Sequence, residues 1–282
     1  MRLLLTGAAG FTGRHMANAA IAAGHEVYAV KCDITNGPDL ADEVIRFAPT
    51  HVVHMAAISA VTHADELAIY GVNVLGTTNL LKALSSLPQA PHKVLLASSA
   101  NVYGNSEQSP ITETQQLAPI NHYAISKLAM EQVANMYARL PIVTVRPFNY
   151  TGVGHDDRFV IPKLIDHFAR RAARVELGNL TVEREFNDVR MVVNAYLSLL
   201  VNGQAGEKYN VCTNRPVALQ EAIQTLTKLT GHNLEVVVNP AFVRANEIQR
   251  LCGSPSKLVA AIGPLQHYAL ADTLQWMLDA AV

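Results

Sequence analysis

The stretch TGAAGFTG, residues 6–13, decides the predicted fold of this chain. It follows a short apolar run at residues 2–6 and opens an alanine-rich run with helical spacing at residues 13–23. Glycines at every third position permit a tight turn, and they let an anion approach the backbone N–H groups at the start of the helix. The stretch therefore predicts a strand, a turn and a helix that bind the pyrophosphate of a dinucleotide. The alternative is an ordinary glycine-rich turn.

Apolar and helical segments alternate along the rest of the first half of the chain. We predict strands at residues 27–30, 52–55, 93–97 and 142–146, and helices at residues 72–87 and 123–139. Further on we predict a helix at residues 191–201 and strands at residues 208–212 and 234–238. Such alternation is typical of a parallel sheet that helices cover on both faces.

The predicted fold class is α/β, a doubly wound parallel sheet of the Rossmann type with a smaller C-terminal α/β region. Residues 1–151 and about 187–213 form the predicted dinucleotide-binding domain. Residues of about 152–186 and 214–282 form the predicted substrate-binding region, which closes over it. Ligands of such folds bind beyond the carboxyl ends of the strands.

The composition excludes several classes of protein. A formal charge of −1 over 282 residues gives no electrostatic reason to expect a nucleic-acid or anionic membrane partner. The three cysteines are scattered, which argues against a disulfide framework or a zinc site and for a reducing compartment. No apolar run is long enough to span a bilayer. We expect a soluble, cytoplasmic protein without a metal site.

Two short segments carry the predicted chemistry. Tyr123-Ala-Ile-Ser-Lys127 places a phenol and an ammonium group on one face of a helix. A free tyrosine has a pKa near 10, and we expect the ammonium together with an oxidised nicotinamide to lower it. Upstream, Leu96-Ala-Ser-Ser-Ala-Asn-Val-Tyr-Gly104 places small hydroxyl residues at the carboxyl end of a strand. Taken alone, the tyrosine and lysine are equally compatible with a surface pair.

In this order the glycine stretch, the serine segment and the Tyr-x-x-x-Lys segment resemble the extended, nucleotide-sugar branch of the short-chain dehydrogenase/reductase superfamily. The resemblance implies that Ser99 hydrogen-bonds the reacting oxygen and that Tyr123 gives or takes its proton. It implies that Lys127 tunes the tyrosine and holds the nicotinamide ribose. It also implies cofactor contacts along the chain: Gly7, Gly10, Phe11, Thr12, Gly13, Arg14, Lys31, Asp33, Ile34, Ala56, Ala57, Ala97, Tyr123, Lys127 and Pro147.

Lys31 bears on the choice between NAD and NADP. Most members of this branch carry an acidic residue at the end of the second strand, where it binds the ribose hydroxyls of NAD. An ammonium there would attract a 2′-phosphate, and Arg14 could add a second positive contact. Asp33 and Ile34 resemble the pair that contacts adenine, in a shortened connection. We predict that NADP(H) is preferred and that NAD(H) is possible; the alternative is a solvated surface lysine.

Two segments resemble GDP-4-keto-6-deoxy-D-mannose reductases. These are RPFNYTGVG at residues 146–154, and GNLTVEREFNDV at residues 178–189. Tyr150, Val153 and Glu185 depart from the pattern of that group. The resemblance implies a set of substrate contacts, with surface ion pairs as the alternative for the charged ones: Ser59, Ser99, Asn101, Asn149, Arg184, Arg244 and Glu247.

The two residues after Ser99 help to distinguish a dehydratase from a reductase. Dehydratases of this branch carry an acidic residue just after the catalytic hydroxyl, whereas Ser99 is followed by Ala100 and Asn101. We predict NADP(H)-dependent reduction of the 4-keto group of GDP-4-keto-6-deoxy-D-mannose. The product is GDP-D-rhamnose or its C4 epimer, an activated sugar for a surface polysaccharide such as lipopolysaccharide.

Three alternatives stay open. The first is a nucleotide-sugar 4-epimerase with tightly bound NAD, and the second is a dTDP-4-dehydrorhamnose reductase. The third is a non-catalytic NADP(H)-binding sensor, a class that commonly lacks the tyrosine or the lysine. The resemblance also implies a homodimer, in which the helices at residues 72–87 and 123–139 of two subunits form a four-helix bundle.

Overall fold

The structure is a computed structural model that describes residues 1–59, 65–243 and 248–281. Its main sheet has six parallel strands in the order β10–β5–β4–β3–β1–β2. Their bounds are β1 Arg2–Thr6, β2 Glu26–Ala29, β3 His51–His54, β4 Lys93–Ala97, β5 Ile142–Pro147 and β10 Lys208–Val211. From β1 the chain adds β2 on one side and then β3, β4, β5 and β10 on the other. The strand order therefore reverses between β1 and β3, and a crevice lies at the carboxyl ends of these two strands.

Helices cover both faces of this sheet, as predicted for a doubly wound fold. On one face Met16 of α1 (Phe11–Ala22) and Leu199 of α7 (Val189–Asn202) share a buried cluster with the sheet. The helices on the other face are α2 (Gly37–Phe47), α4 (Thr77–Ser85) and α5 (His122–Asn135). The predicted fold class is therefore confirmed.

Helix α2 was not predicted. It begins after Asn36, whose side chain accepts the N–H of Asp39, and Pro38 stands in its first turn. A Gly-Pro pair is more typical of a turn, but the next residues place Leu40 and Val44 against the sheet at helical spacing. Burial of this apolar face accounts for the helix.

The predicted helix at residues 72–87 is two segments rather than one. It comprises a π-helical turn (Gly71–Gly76) and α4, and α3 (Glu66–Tyr70) directly precedes the turn. A Cβ atom at Gly76 would lie 2.4 Å from Cδ1 of Ile34, so the π turn packs closely against this side chain. The other predicted elements agree with the structure to within a few residues at either end.

The C-terminal region has its own small core. Helices α6 (Val160–Ala169), α8 (Leu219–Thr230) and α10 (Leu270–Asp279) pack together with β7 (Arg174–Leu177), which pairs in parallel with β12 (Glu235–Val238). The remaining elements are β6 (Tyr150–Thr151), β8 (Glu183–Arg184), β9 (Asn187–Asp188), β11 (Val217–Ala218), β13 (Arg250–Leu251) and α9 (Ser256–Ile262). The exact domain boundaries stay a prediction.

In the described part of the chain, no helix combines the length and the apolar character that crossing a bilayer requires.

Candidate active site

The glycine stretch forms the turn between β1 and α1. Gly7 has a φ of +70°, and a Cβ atom there would lie 2.7 Å from the backbone nitrogen of Ala56. A Cβ atom at Gly13 would lie 2.1 Å from the carbonyl oxygen of Gly7. Gly10 immediately precedes α1, and no side chain caps the free N–H groups at the start of the helix. The first turn also has no acidic residue. An uncapped helix start of this kind fits the pyrophosphate of a dinucleotide.

A buried histidine joins the two strands beside the crevice. Thr77 donates to the carbonyl oxygen of Asn73 at 2.6 Å, so its oxygen accepts from Nε2 of His54 at 2.8 Å. Nδ1 of His54 then accepts from the hydroxyl of Thr6 at 2.6 Å. The Thr6 oxygen in turn accepts the N–H of Ala56 at 3.1 Å. Burial lowers the pKa of His54 to about 3, so its ring is neutral.

The structure brings Ser99, Tyr123 and Lys127 together at the carboxyl end of β4. Ser99 begins a 3₁₀ turn at residues 100–103, and its oxygen accepts the N–H of Asn101 at 3.2 Å. Tyr123 lies in the first turn of α5 and is 9% exposed. Lys127, one turn later, donates to the carbonyl oxygen of Ala97 at 2.8 Å. All three side chains are buried beside the crevice.

Burial is the main influence of the protein on the ionisation of Tyr123 and Lys127. Burial raises the pKa of Tyr123 to about 12, although the nearby Ser99 hydroxyl opposes the shift. Burial lowers the pKa of Lys127 to about 8, opposed by the carboxylate of Glu131. Loss of solvation is the largest influence of the surrounding protein on the phenol, and the combined effect of the ammonium and an oxidised nicotinamide stays a prediction. Tyr123 therefore carries its proton at neutral pH, as an acid that protonates a keto oxygen must.

The residues predicted to bind adenosine lie beyond β2. Lys31 and Asp33 are exposed, whereas Ile34 is buried beneath α4. Asp33 accepts from both the N–H and the hydroxyl of Thr35. The guanidinium group of Arg14 donates to the carbonyl oxygens of Ala9 and Gly154, each at 2.9 Å. Its role at a 2′-phosphate stays a prediction, since these contacts hold it across the start of α1.

The predicted substrate contacts are more dispersed. Ser59 and Asn149 are exposed, and the backbone oxygen of Asn149 accepts the N–H of Asn187 at 3.0 Å. Arg184 lies in the C-terminal region, where its guanidinium group donates to the carbonyl oxygens of Glu183, Ile248 and Gln249. Arg184 thus supports the chain that follows the predicted Arg244 and Glu247 contacts. Those two residues lie outside the described part of the structure.

Residues 3–212 match the profile of the NAD-dependent epimerase/dehydratase family. The chain belongs to this family. The resemblance drawn from the glycine, serine and tyrosine segments is therefore confirmed.

Within the family, two curated relatives resemble the whole chain. GDP-6-deoxy-D-talose 4-dehydrogenase of Aggregatibacter actinomycetemcomitans is 32% identical, and the match covers 93% of this chain and 92% of the relative. GDP-6-deoxy-D-mannose reductase of Pseudomonas aeruginosa is 34% identical over 99% of this chain and 96% of the relative.

Two solved structures show the same fold. A putative epimerase from Burkholderia cenocepacia superposes with a TM-score of 0.94 and 44% identity, covering 99% of this chain and 97% of that one. The structure of RMD from Pseudomonas aeruginosa complexed with NADPH superposes with a TM-score of 0.92 and 32% identity. It covers 100% of this chain and 99% of the other.

Sequence reasoning missed a buried ion pair beside Ser98, the neighbour of the predicted catalytic Ser99. Arg146 donates from two nitrogens to the carboxylate of Glu131, at 2.9 and 2.6 Å, and both side chains are at most 2% exposed. Ser98 donates to the same carboxylate at 2.6 Å, so its hydroxyl faces this pair. The only available signal was an acidic residue one helical turn after Lys127.

Two further tyrosines near the site were also missed. The hydroxyl of Tyr150 lies 2.8 Å from that of Thr12 in the glycine stretch. The phenols of Tyr150 and Tyr123 lie close enough that a negative charge on Tyr150 would raise the pKa of Tyr123. Tyr196 on α7 is 1% exposed, and its hydroxyl has no hydrogen-bond partner within the described residues. Tyr150 was visible in the sequence only as a departure from the pattern of the reductases.

Proposed function

We propose that this member of the epimerase/dehydratase family is an NADP(H)-dependent reductase of a nucleotide-linked 4-keto-6-deoxyhexose, GDP-4-keto-6-deoxy-D-mannose. The product is GDP-D-rhamnose or its C4 epimer. The observation that carries the proposal is the placement of the buried Tyr123 phenol beside Ser99 and Lys127 at the sheet crevice. Reduction of a ketone requires an acid at this place, and the phenol of Tyr123 can carry the proton.

The residues act on the keto group as follows. Tyr123 donates its proton to the carbonyl oxygen as that oxygen gains negative charge, and Ser99 hydrogen-bonds the same oxygen. NADPH, when bound, supplies the hydride that reduces C4. Lys127 is held by the carbonyl of Ala97 and stabilises the phenolate that remains.

Two observations support NADP(H). Lys31 lies directly beyond β2, where the exposed ammonium can reach solvent and a 2′-phosphate. A relative with 32% identity has a solved structure complexed with NADPH. For the substrate, the names of the two curated relatives support a GDP-linked 6-deoxyhexose. A cytoplasmic enzyme that supplies sugars for polysaccharide synthesis would fit this activity.

A nucleotide-sugar 4-epimerase is the second candidate. The Burkholderia structure, at 44% identity, is described as a putative epimerase. An epimerase oxidises and then reduces the same carbon, and it keeps its cofactor bound throughout. The two functions therefore differ in whether the protein consumes NADPH or is purified with NAD.

We also propose that the protein is a homodimer. Large apolar side chains stand exposed on α3, on the π turn and on α5, which pack against one another. They are Leu67, Leu75 and Ile125, which are 83%, 61% and 41% exposed, with Met136 just beyond α5 at 81%. A second copy of the same helix pair would cover them as a four-helix bundle.

One assay tests the function. GDP-4-keto-6-deoxy-D-mannose is generated in situ, and the loss of NADPH and of NADH absorbance is compared, with Tyr123→Phe as the inactive control. Faster loss of NADPH supports the reductase, and analysis of the product gives the configuration at C4. If neither cofactor is consumed, the GDP-linked reductase is wrong. Thymidine-linked keto-sugars and then epimerisation by protein-bound NAD are tested next.

A further inference from the structure

The carboxylate of Glu43 on α2 holds the backbone at Lys31. Its Oε2 atom accepts the N–H of Lys31 at 3.0 Å, and its Oε1 atom accepts the N–H of Cys32 at 2.9 Å. The hydroxyl of Tyr28 donates to Oε2 at 3.1 Å. One side chain therefore pairs with two successive backbone donors at the end of β2.

These donors need a partner because β2 is the edge strand of the sheet. Its pairing with β1 ends at Ala29 opposite Leu5, and the last bond joins the N–H of Val30 to the carbonyl of Leu5 at 2.9 Å. Beyond this point the sheet offers nothing to the backbone, and a free strand end is mobile. Glu43 thus holds the backbone in place beyond the last bond of the sheet, at Lys31, the residue predicted to select the cofactor.

The shortened connection makes this contact possible. Helix α2 begins at Gly37, only a few residues after β2 ends, and it runs back along the sheet. Tyr28 and Phe47 stack with ring centres 5.0 Å apart, which ties the helix to the strand. Burial opposes ionisation of Glu43, but the hydrogen bonds from Lys31 and Cys32 leave its pKa below the usual value. The carboxylate is therefore charged and committed to backbone donors.

We infer that Glu43 is a positioning residue for cofactor selection, because it fixes the backbone from which Lys31 presents its ammonium to a 2′-phosphate. The inference rests on the proposed NADP(H) preference and names a residue through which Lys31 acts. The three donors that its oxygens accept all belong to β2 or to the chain just beyond its end, so Glu43 acts here through the backbone. A merely structural brace between β2 and α2 would affect every nucleotide equally.

Binding of two fragments separates these roles. The dissociation constants of adenosine 2′,5′-bisphosphate and of 5′-AMP are measured by calorimetry for the whole protein and its variants. We expect Glu43→Ala to weaken the bisphosphate by about fivefold or more while 5′-AMP changes less than about twofold. Glu43→Gln keeps one acceptor oxygen and should fall between the two. It also serves if the alanine variant does not fold.

Asp42→Ala is the matched control. Asp42 is the exposed neighbour of Glu43 on the same helix, so its removal changes the charge equally without touching the backbone at Lys31. It should leave the ratio of the two affinities within about twofold. In a Lys31→Ala background, Glu43→Ala should lower that ratio no further, because the residue through which it acts is gone.

The outcomes divide clearly. Equal weakening of both fragments, an unchanged ratio, or a further loss in the Lys31→Ala background would each overturn the role of Glu43 while leaving the NADP(H) preference intact. A wild-type protein that binds both fragments alike would overturn the preference itself, and the inference with it. Selective loss in Glu43→Ala alone supports both.

Discussion

The ammonium nitrogen of Lys127 lies 6.0 Å from the centre of the Tyr123 ring, one helical turn away on α5. Both groups are buried, and burial shifts their pKa values toward the neutral forms of the two side chains. The phenol keeps its proton, and the amine of Lys127 lies beside its ring. The proposed proton transfer to a keto oxygen depends on this arrangement.

Tyr123→Phe should therefore remove the acid without disturbing the nucleotide site. We expect kcat to fall by about 10²–10⁴-fold, which is the usual contribution of a positioned acid, while the Kd of NADPH stays within about twofold. Tyr137→Phe, a change to a half-buried tyrosine beyond the end of α5, is the control and should keep full activity. Steady-state reduction and nucleotide titration measure the two quantities. Near-normal turnover in Tyr123→Phe would refute the role of the phenol.

Lys31→Asp should move the preference from NADPH toward NADH. The change replaces an attraction to the 2′-phosphate with a repulsion, and a charge-assisted contact of this kind contributes about 1.5–3 kcal/mol, or tenfold and more in binding. The ratio of kcat/KM for the two cofactors is the measurement. Lys82→Asp makes the same change at an exposed residue of α4 and should leave the kcat/KM ratio unchanged. An unchanged ratio in Lys31→Asp would exclude Lys31 as a phosphate ligand.

Glu131→Ala should destabilise the fold severely, because it leaves the guanidinium group of Arg146 charged and buried. Removal of one partner of a buried pair lowers the free energy of unfolding by about 3–5 kcal/mol. Replacing both residues, by Glu131→Met with Arg146→Leu, should cost less than the single change. Urea unfolding measures each value. Glu26→Ala breaks the exposed pair with Arg2 and should cost at most about 1 kcal/mol. A similar small loss in Glu131→Ala would show that the buried pair is unimportant.

His54 should make the protein sensitive to acid. Its pKa is lowered from 6.5 to about 3 by burial, so the unfolded chain binds this proton at a pH where the folded chain does not. Stability therefore falls as the pH falls through this window. Between pH 7 and pH 5 this group alone should cost about 2 kcal/mol in the free energy of unfolding.

The pH test compares His54→Gln with His122→Gln, which changes an exposed histidine on α5. Urea unfolding is measured at both pH values for each protein. The loss between pH 7 and pH 5 should be smaller in His54→Gln by about 2 kcal/mol and unchanged in His122→Gln. Parallel losses in all three proteins would mean that His54 is protonated in the folded state.

Leu75→Glu should prevent dimerisation. Leu75 is 61% exposed on the π turn, and a carboxylate buried at the centre of a four-helix bundle is strongly unfavourable. Sedimentation velocity should give a dimer for the wild-type protein and a monomer for this variant. Ile45→Glu, at a residue 54% exposed on α2, should remain dimeric. A monomeric wild-type protein would contradict the proposed assembly.

Much of the site follows from local sequence. Glycine at residues 7 and 13 is required by backbone geometry, and the four-residue spacing of Tyr123 and Lys127 places both on one helix face. Strand and helix periods then predict the parallel sheet, and its carboxyl edge predicts the crevice. Each of these signals depends on residues that are close together in the chain.

Only the tertiary structure decided which distant groups meet. Glu131 contacts Arg146 and Ser98 because α5 packs across the ends of β4 and β5, and Glu43 reaches Lys31 because α2 folds back along β2. The raised pKa of Tyr123 likewise depends on burial by neighbouring elements. A short stretch of sequence shows the hydrophobic periodicity of one helix or strand and the positions where its backbone requires glycine. The partner of a buried charge depends on how separate elements pack, and no short stretch of sequence contains that information.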